Sequence, residues 1–462
     1  MASMKIKRLM FFAALLLTFA SGAWATPEPQ VIWCSGNHTL YFTYAEPVPQ
    51  GSSYNGQTAD RVYSGNDFNY AKWGDNSDIT GNCTTVVFES SFSSARPTKC
   101  TYWFLFLGVL TNIQGIENLN TSEVTNMGSM FANCVGLTSL DLSHFNTALV
   151  TDMESMFKNC TKLTTLDLSS FDTSNVETMS EMFSGCSALT TLTVASGWSK
   201  ISSRSDRFKS CSPSTIHLVM DNDKSSQSLL EEFSDLISGK AVNVTLRNRT
   251  LYTNSDWNTL CLPFGIVLDG SPLDGATVKT LASTVFGNGT LTLNFSDNLT
   301  SIEAGKPYIV KWETQQGTNI TNPEFHGVTI DNTPYKVEKD YVDFVGSFDP
   351  VNISGEDRTM LYVGAGNKLY YPNAEMTIGS CRAHFRLQGL EASPYPSQGE
   401  ENGVKMFVLN FDDENVTGIE NVQWSMFNGQ SEAWYTLDGR KLYGKPMQKG
   451  LYIMNGKKVV IK

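Results

Sequence analysis

The sequence predicts a mixed α/β leucine-rich-repeat solenoid followed by an all-β, sandwich-like domain and a small C-terminal β-meander. Three observations predict it: an internal period, two hydrophobic periodicities within each repeat, and a second half of short alternating segments bounded by Gly, Pro and Asn.

Val124, Val150 and Val176 fall in register, which gives a period of 26 residues. Phe131, Phe157 and Phe183 follow it, as do Cys134, Cys160 and Cys186, and Leu140, Leu166 and Leu192. Such a period signals units that bury their apolar faces only against their neighbours. Within one unit, Met127, Met130, Phe131 and Cys134 are spaced i, i+3, i+4, i+7, which predicts one face of a short helix. Asn126, Asp152 and Thr178 stand where N-caps would stand. Leu137-x-x-Leu140-x-Leu142 then switches to the alternation of a strand.

The edges of the array decide what the repeated cysteine does. In Phe104-Leu-Phe-Leu107 the Cys slot holds Leu107, whereas Phe208-Lys-Ser-Cys211 restores it. A site that accepts Leu asks for a medium apolar group, and free Cys behaves as a small hydrophobe. The repeated cysteines read as core packing. Neighbouring strands lie about 4.8 Å apart, so a disulfide between adjacent rungs would still have to meet narrow dihedral geometry. Cys34, Cys83, Cys100, Cys261 and Cys381 lie outside the ladder, and nine cysteines cannot all pair within one chain. A Cys83–Cys100 bridge and a Cys261–Cys381 bridge are the alternatives to free thiols. No Cys-x-x-Cys occurs and the five histidines show no zinc spacing, so no metal and no cofactor is expected.

The stretch NTSEVTNMGSMFANCVGLTSLDLSHFNT (120–147) resembles the BspA-like leucine-rich-repeat surface proteins of Bacteroidales. The likeness covers roughly 84–220, with FESSFSSARPT (88–98) and IQGIENLNTS (113–122) similar to the segments that open such arrays. It implies a secreted or cell-surface protein, of a kind in which some members adhere to host matrix proteins or other bacteria.

The remaining segments take their expected places around that array. Lys5, Lys7 and Arg8, the apolar run Leu9 to Ala20 and Ala23-Trp24-Ala25 read as a signal peptide over 1–25. Residues 26–83 read as a β-rich N-terminal cap, 84–220 as the array and 221–245 as a helical connector around SSQSLLEEFSDLISG. WNTLCLPFGI (257–266), AGKPYIVKW (304–312), KLYYPNA (368–374) and GSCRAHFRLQG (379–389) supply strands of an all-β domain over 246–412. These phrases are similar to a β-rich module found after BspA-like repeats. A linker (413–432) precedes 433–462, where Asp438-Gly439 and Asn455-Gly456 signal hairpin turns. That last segment resembles the C-terminal sorting tails of exported Bacteroidetes proteins, which implies the export machinery as a partner. The expected location is exported: extracellular, or associated with the cell surface or outer membrane.

The formal net charge of −12 without basic clusters argues against nucleic acid. No later apolar run is long enough for a transmembrane segment. Gly-x-Ser-x-Gly, His-Glu-x-x-His, phosphate-loop and dinucleotide motifs are absent, so the chain is expected to be non-catalytic. His384 lies three residues from Cys381, a spacing that sends the two side chains to opposite faces of a strand.

The expected function is binding or adhesion, with the repeat face presented to host matrix or other surface proteins. That face comprises Ser139, Asp141 and Ser143, then Thr165, Asp167 and Ser169, then Thr191, Thr193 and Ala195. Asp141 and Asp167 stack as neighbours and favour a cationic patch or a bound cation; the alternative is two solvated aspartates on an open face. Trp198 and Tyr102 are the aromatic anchors expected near its edges. The second functional expectation is a glycan-binding accessory protein that acts through 246–412.

Overall fold

A computed structural model describes residues 26–65, 71–198, 201, 203, 205–254, 256–313, 319–355, 357–364, 367–372, 374–392, 403–404 and 406–411. It also gives the backbone of the strands Trp434–Tyr435, Lys441–Leu442, Gly450–Met454 and Lys457–Ile461. The expected signal peptide and the 413–432 linker lie outside the described residues. The chain divides into two compact units, Met1–Leu218 and Val219–Lys462.

The described residues are predominantly β with little helix, which overturns the mixed α/β leucine-rich-repeat solenoid expected from the sequence. The reason lies in where the backbone N–H groups go. The N–H groups of Met127, Ser129, Phe131 and Asn133 donate to the carbonyls of Asp152, Glu154, Met156 and Lys158 at 2.7–2.9 Å. The intervening N–H groups of Met130, Ala132 and Cys134 bond three residues back, to Met127, Ser129 and Phe131. An α-helix would satisfy them all internally, four residues back. Here alternate amides join one rung to the next, and the chain between them advances by tight turns.

That alternation needs a left-handed residue at every fourth position. Ser129, Ser155, Glu181 and Asp206 take φ of 53°, 56°, 58° and 53°. Asn133, Asn159, Gly185 and Ser210 take 60°, 58°, 78° and 55°. Asn126 and Asp152 are not helix N-caps; their Oδ1 atoms accept from the N–H two residues on, Gly128 and Glu154.

The apolar side chains still converge as one stripe, because four-residue turns return Met127, Met130, Phe131 and Cys134 to one side, all of them buried. Phe104, Phe131, Phe157, Phe183 and Phe208 form a column with ring centroids 5.0–5.9 Å apart. Across the rung, Thr165–Leu168 and Thr191–Ala195 pair as parallel strands, Thr165 opposite Thr191, and Thr215–Asp221 follows them in the same sheet. Leu140, before them, is only half-buried.

At its other end this unit carries a five-stranded sheet in the order Arg61–Ser64, Glu28–Cys34, Thr39–Ala45, Thr85–Phe88, Asn112–Gln114. Its pairings turn from antiparallel (Glu28 opposite Ala45) to parallel (Thr39 opposite Thr85), which continues the direction of the rungs. Phe42 packs on Phe88 at 4.5 Å and on Trp103 at 5.3 Å, so the sheet closes the apolar end of the phenylalanine column.

The second unit opens with the helices Ser226–Glu232 and Ser234–Ile237 and the strand Ala241–Arg247. From Thr250 onwards every regular element among the described residues is a strand. A five-stranded sheet runs in the order Lys336–Glu338, Val342–Ser347, Arg382–Leu387, Met360–Gly364, Lys368–Tyr370. Its inner face packs Phe344 and Phe385 against Leu281, Leu293 and Phe295. Thr290–Phe295 pairs in parallel with Met406–Asn410, which brings the distant ends of this region together. In the C-terminal segment Trp434–Tyr435 lies between Lys441–Leu442 and Gly450–Met454. That order departs from the sequential meander expected for 433–462; its two Gly turns lie outside the described residues.

All nine cysteines are free and buried. The Sγ atoms of Cys134, Cys160 and Cys186 each donate to the carbonyl of the phenylalanine in the preceding rung: Phe104, Phe131 and Phe157. Burial pushes Cys83, Cys160 and Cys381 up to about 12. Cys211 is the exception. A hydrogen bond shared with Cys186 holds its thiol below the usual range and raises that of Cys186.

Two expectations follow. Gly185→Ala should lower stability by roughly 1–3 kcal/mol in urea unfolding, because φ is positive and the new Cβ would meet Asn159 Oδ1. A helical repeat would instead gain up to about 1 kcal/mol from the same change, so the sign separates the two architectures. Titration of the native chain with a disulfide reagent should show nine slow thiols that become fast only in urea, because all nine are buried. A fast phase in the native chain would show that at least one thiol is open to solvent.

Candidate binding face of the repeat array

The strand side of the rungs positions the exposed polar row. In Thr165–Leu168 the burial alternates, with Leu166 and Leu168 inward and Thr165 and Asp167 outward. Thr191 and Thr193 sit in register beside them and are partly exposed. The rungs are joined along this edge by threonines, since Thr164 Oγ1 donates to Thr138 O at 3.2 Å and Thr190 Oγ1 to Thr164 O at 2.9 Å.

Ser139, Asp141, Thr165, Asp167, Thr191 and Thr193 line a shallow open groove of about 320 Å³ together with the half-buried Leu140, while the side chain of Leu166 turns into the core. Ser143 and Ser169 are not part of it. They lie past its rim, where their N–H groups donate to Asp141 Oδ1 at 3.0 Å and Asp167 Oδ1 at 2.9 Å. Those bonds fix one oxygen of each carboxylate. The amide and hydroxyl of Ser143 hold the Asp141 carboxyl below the usual carboxylate range. The groove therefore presents two positioned carboxylates between threonine hydroxyls, beside Leu140.

Ala195, expected on this face, is buried. Trp198 is buried too, its Nε1 donating to Leu168 O at 3.4 Å, so it is no surface anchor. Tyr102 is 49 % exposed, but it belongs to the turn side of its rung rather than to this groove. Sequence reasoning missed Leu140 as a groove residue. The only signal for it was the turn chemistry of Asp141-Leu-Ser, which interrupts the strand there.

Residues 99–218 match a family model described as Mycoplasma protein of unknown function, DUF285. No curated protein and no solved structure matches the chain. The matched segment contains every residue of the groove.

No group of three or more His, Cys, Asp or Glu among the described residues is placed to share a metal ion. No helix among them is long and apolar enough to cross a membrane. A second concavity, of about 530 Å³, lies in the other unit between Gly265–Pro272 and Glu324–Thr329. It is lined by Asp269, Ser271, Glu324 and His326, with His326 Nδ1 3.8 Å from Glu324 Oε1.

Cys381 and His384 form no thiol–imidazole pair. The Cys381 Sγ lies 3.9 Å from the sulfur of Met220. His384 is buried on the strand Arg382–Leu387, and its Nδ1 has no hydrogen-bond partner. Burial, then the Arg386 charge, lowers its pKa to about 4, with Asp357 opposing.

Because the folded-state value is depressed, His384 adds no pH dependence above about 6.5, where it is neutral folded and unfolded. As pH falls from there toward 4, the unfolded chain takes up the proton first. Stability should drop by up to about 3 kcal/mol from this group, read as a lower urea midpoint. His384→Gln should flatten that part of the profile; an unchanged slope would assign the loss to other groups.

Proposed function

We propose that the chain is a non-catalytic binding or adhesion protein that presents the groove of its repeat array to protein ligands. The observation that carries this is the groove: two carboxylates held by backbone amides, flanked by hydroxyls, beside the half-buried Leu140. Such a surface suits a lysine- or arginine-bearing segment of a protein, with Leu140 contacting the aliphatic stem of the side chain. Host matrix proteins and the surface proteins of other cells are the partners this reading takes from the likeness to BspA-like surface repeat proteins. An exported location belongs to the same reading, with the C-terminal strands Gly450–Met454 and Lys457–Ile461 as the segment offered to the export machinery.

The second reading, a glycan-binding accessory, is favoured by the concavity of the other unit. Asp269, Ser271, Glu324 and His326 there offer the mixed acceptors and donors that sugar hydroxyls require.

The test is capture of the whole chain on immobilised matrix proteins, with Asp141→Ala plus Asp167→Ala beside the native sequence. Capture weakened about tenfold or more, corresponding to about 1.4 kcal/mol, and steeper at low salt supports the repeat groove. Equal capture of both would remove the groove from the interaction. Loss on Glu324→Ala plus His326→Ala, against polysaccharide rather than protein, would favour the second reading.

A further inference from the structure

The first rung breaks the residue pattern of the others. At the two left-handed positions the later rungs use Ser129, Ser155, Glu181 and Asp206, and Asn133, Asn159, Gly185 and Ser210. The first rung uses Tyr102 at φ 65° and Phe106 at φ 62°. Large aromatic residues with positive φ are outliers, whereas Asn, Asp and Gly adopt it readily.

Burial does not explain the choice. Tyr102 is 49 % and Phe106 58 % exposed, although Phe104 between them is fully buried. Val109 and Val135 extend the same surface at 43 % and 36 % exposure, and a Cβ at Gly108 would touch Val135 Cγ2 at 3.6 Å. Neither exposed ring packs on another aromatic ring among the described residues. Both rings stand out from one rung, since the Tyr102 and Phe106 N–H groups donate to Gly128 O and Ala132 O of the next.

Within the two rungs the surroundings are neutral and polar; the cap brings Gly74 up to Tyr102 O, flanked by Lys72 and Asp75, which pair with each other at 3.8 Å. Residues 100–110 and 127–137 contain no charged side chain, in a chain of net charge −12. In the next rung the positions beside the rings are Ser129 and Asn133, and Asn159 Nδ2 donates to Asn133 Oδ1 at 3.0 Å, a short amide ladder. Asn133 Nδ2 has no partner among the described residues. Aromatic faces carry partial negative charge and accept the weakly positive C–H face of a pyranose. A planar amide and a hydroxyl beside them suit its equatorial hydroxyls. Within the two rungs neither a phosphate nor a basic peptide finds a charge to answer its own.

We infer that Tyr102 and Phe106, with Ser129 and Asn133, form a stacking platform for a neutral hexopyranose polymer. It is separate from the carboxylate groove, so the two can be disabled independently.

The test is native affinity electrophoresis of the whole chain in gels containing laminarin, hydroxyethylcellulose or galactomannan, with polygalacturonate as the anionic comparison. The variant is Tyr102→Ser plus Phe106→Asn, which restores the residues of the other rungs and should fold at least as stably. At least one neutral polymer should retard the native chain, and the double variant should lose affinity for it tenfold or more with an unchanged or higher Tm. Asp141→Ala plus Asp167→Ala should leave this retardation intact. The inference is overturned if no neutral polymer retards the native chain, if the double variant is retarded equally, or if polygalacturonate retards it as strongly. Loss of protein capture by the double variant, without any polysaccharide binding, would likewise overturn it and assign the rings to a protein contact.

Discussion

Half of the amides on the turn side of each rung belong to the neighbouring rung, and the architecture of the first unit depends on that division. Met127, Ser129, Phe131 and Asn133 cannot donate to Asp152, Glu154, Met156 and Lys158 unless the residues between them bond locally. Local bonding at three-residue reach, twice in succession, leaves Ser129 and Asn133 with positive φ. The cost is conformational, and it falls where Asn, Ser and Gly keep it small. In return every amide from Met127 to Cys134 finds an acceptor, although the apolar face of the rung is sealed against its neighbours. A single rung would expose both faces, so the aromatic cluster around Phe42 and Trp103 belongs to the same constraint.

The period and the buried stripe were legible in the sequence; the element type was not. The spacing i, i+3, i+4, i+7 at Met127, Met130, Phe131 and Cys134 satisfies a helix, and a run of four-residue turns satisfies it equally well. The discriminating information sat on the exposed side. Asn133, Asn159 and Gly185 share one register, and residues that tolerate positive φ have no reason to recur there in a helix. In the second unit the alternating strands were readable, as in Thr290–Phe295 with its inward leucines. Its parallel partner Met406–Asn410 was not, because no local pattern encodes a pairing across so long a loop.

The polar row of the candidate groove was legible because strand alternation fixes which side chains point outward. Sequence reasoning went astray where alternation stops. Asp141 and Asp167 each accept an amide two residues on, which turns the chain and sets Ser143 and Ser169 beyond the rim. Trp198 and Tyr102 looked alike as edge aromatics, yet one fills the core and the other stands in solvent. The difference comes from rung geometry, since Trp198 follows a strand and folds back over Leu168, while Tyr102 occupies a left-handed corner.

The same geometry explains why one array carries two chemically distinct surfaces. On the strand side, parallel pairing sets Asp167 beside Thr193, and Asp141 lines the same groove from the preceding rung. On the turn side, the outward positions are the corners, where residue choice is limited by φ rather than by packing. A corner filled by Ser or Asn needs no further explanation, because backbone preference is sufficient. Tyr102 and Phe106 run against that preference while exposing their rings, so neither local propensity nor burial accounts for them. The thiol column is the internal contrast. Leu107, Cys134, Cys160 and Cys186 vary only within what an enclosed apolar slot accepts. Packing is a sufficient cause for the slot, and it is insufficient for the corners of the first rung.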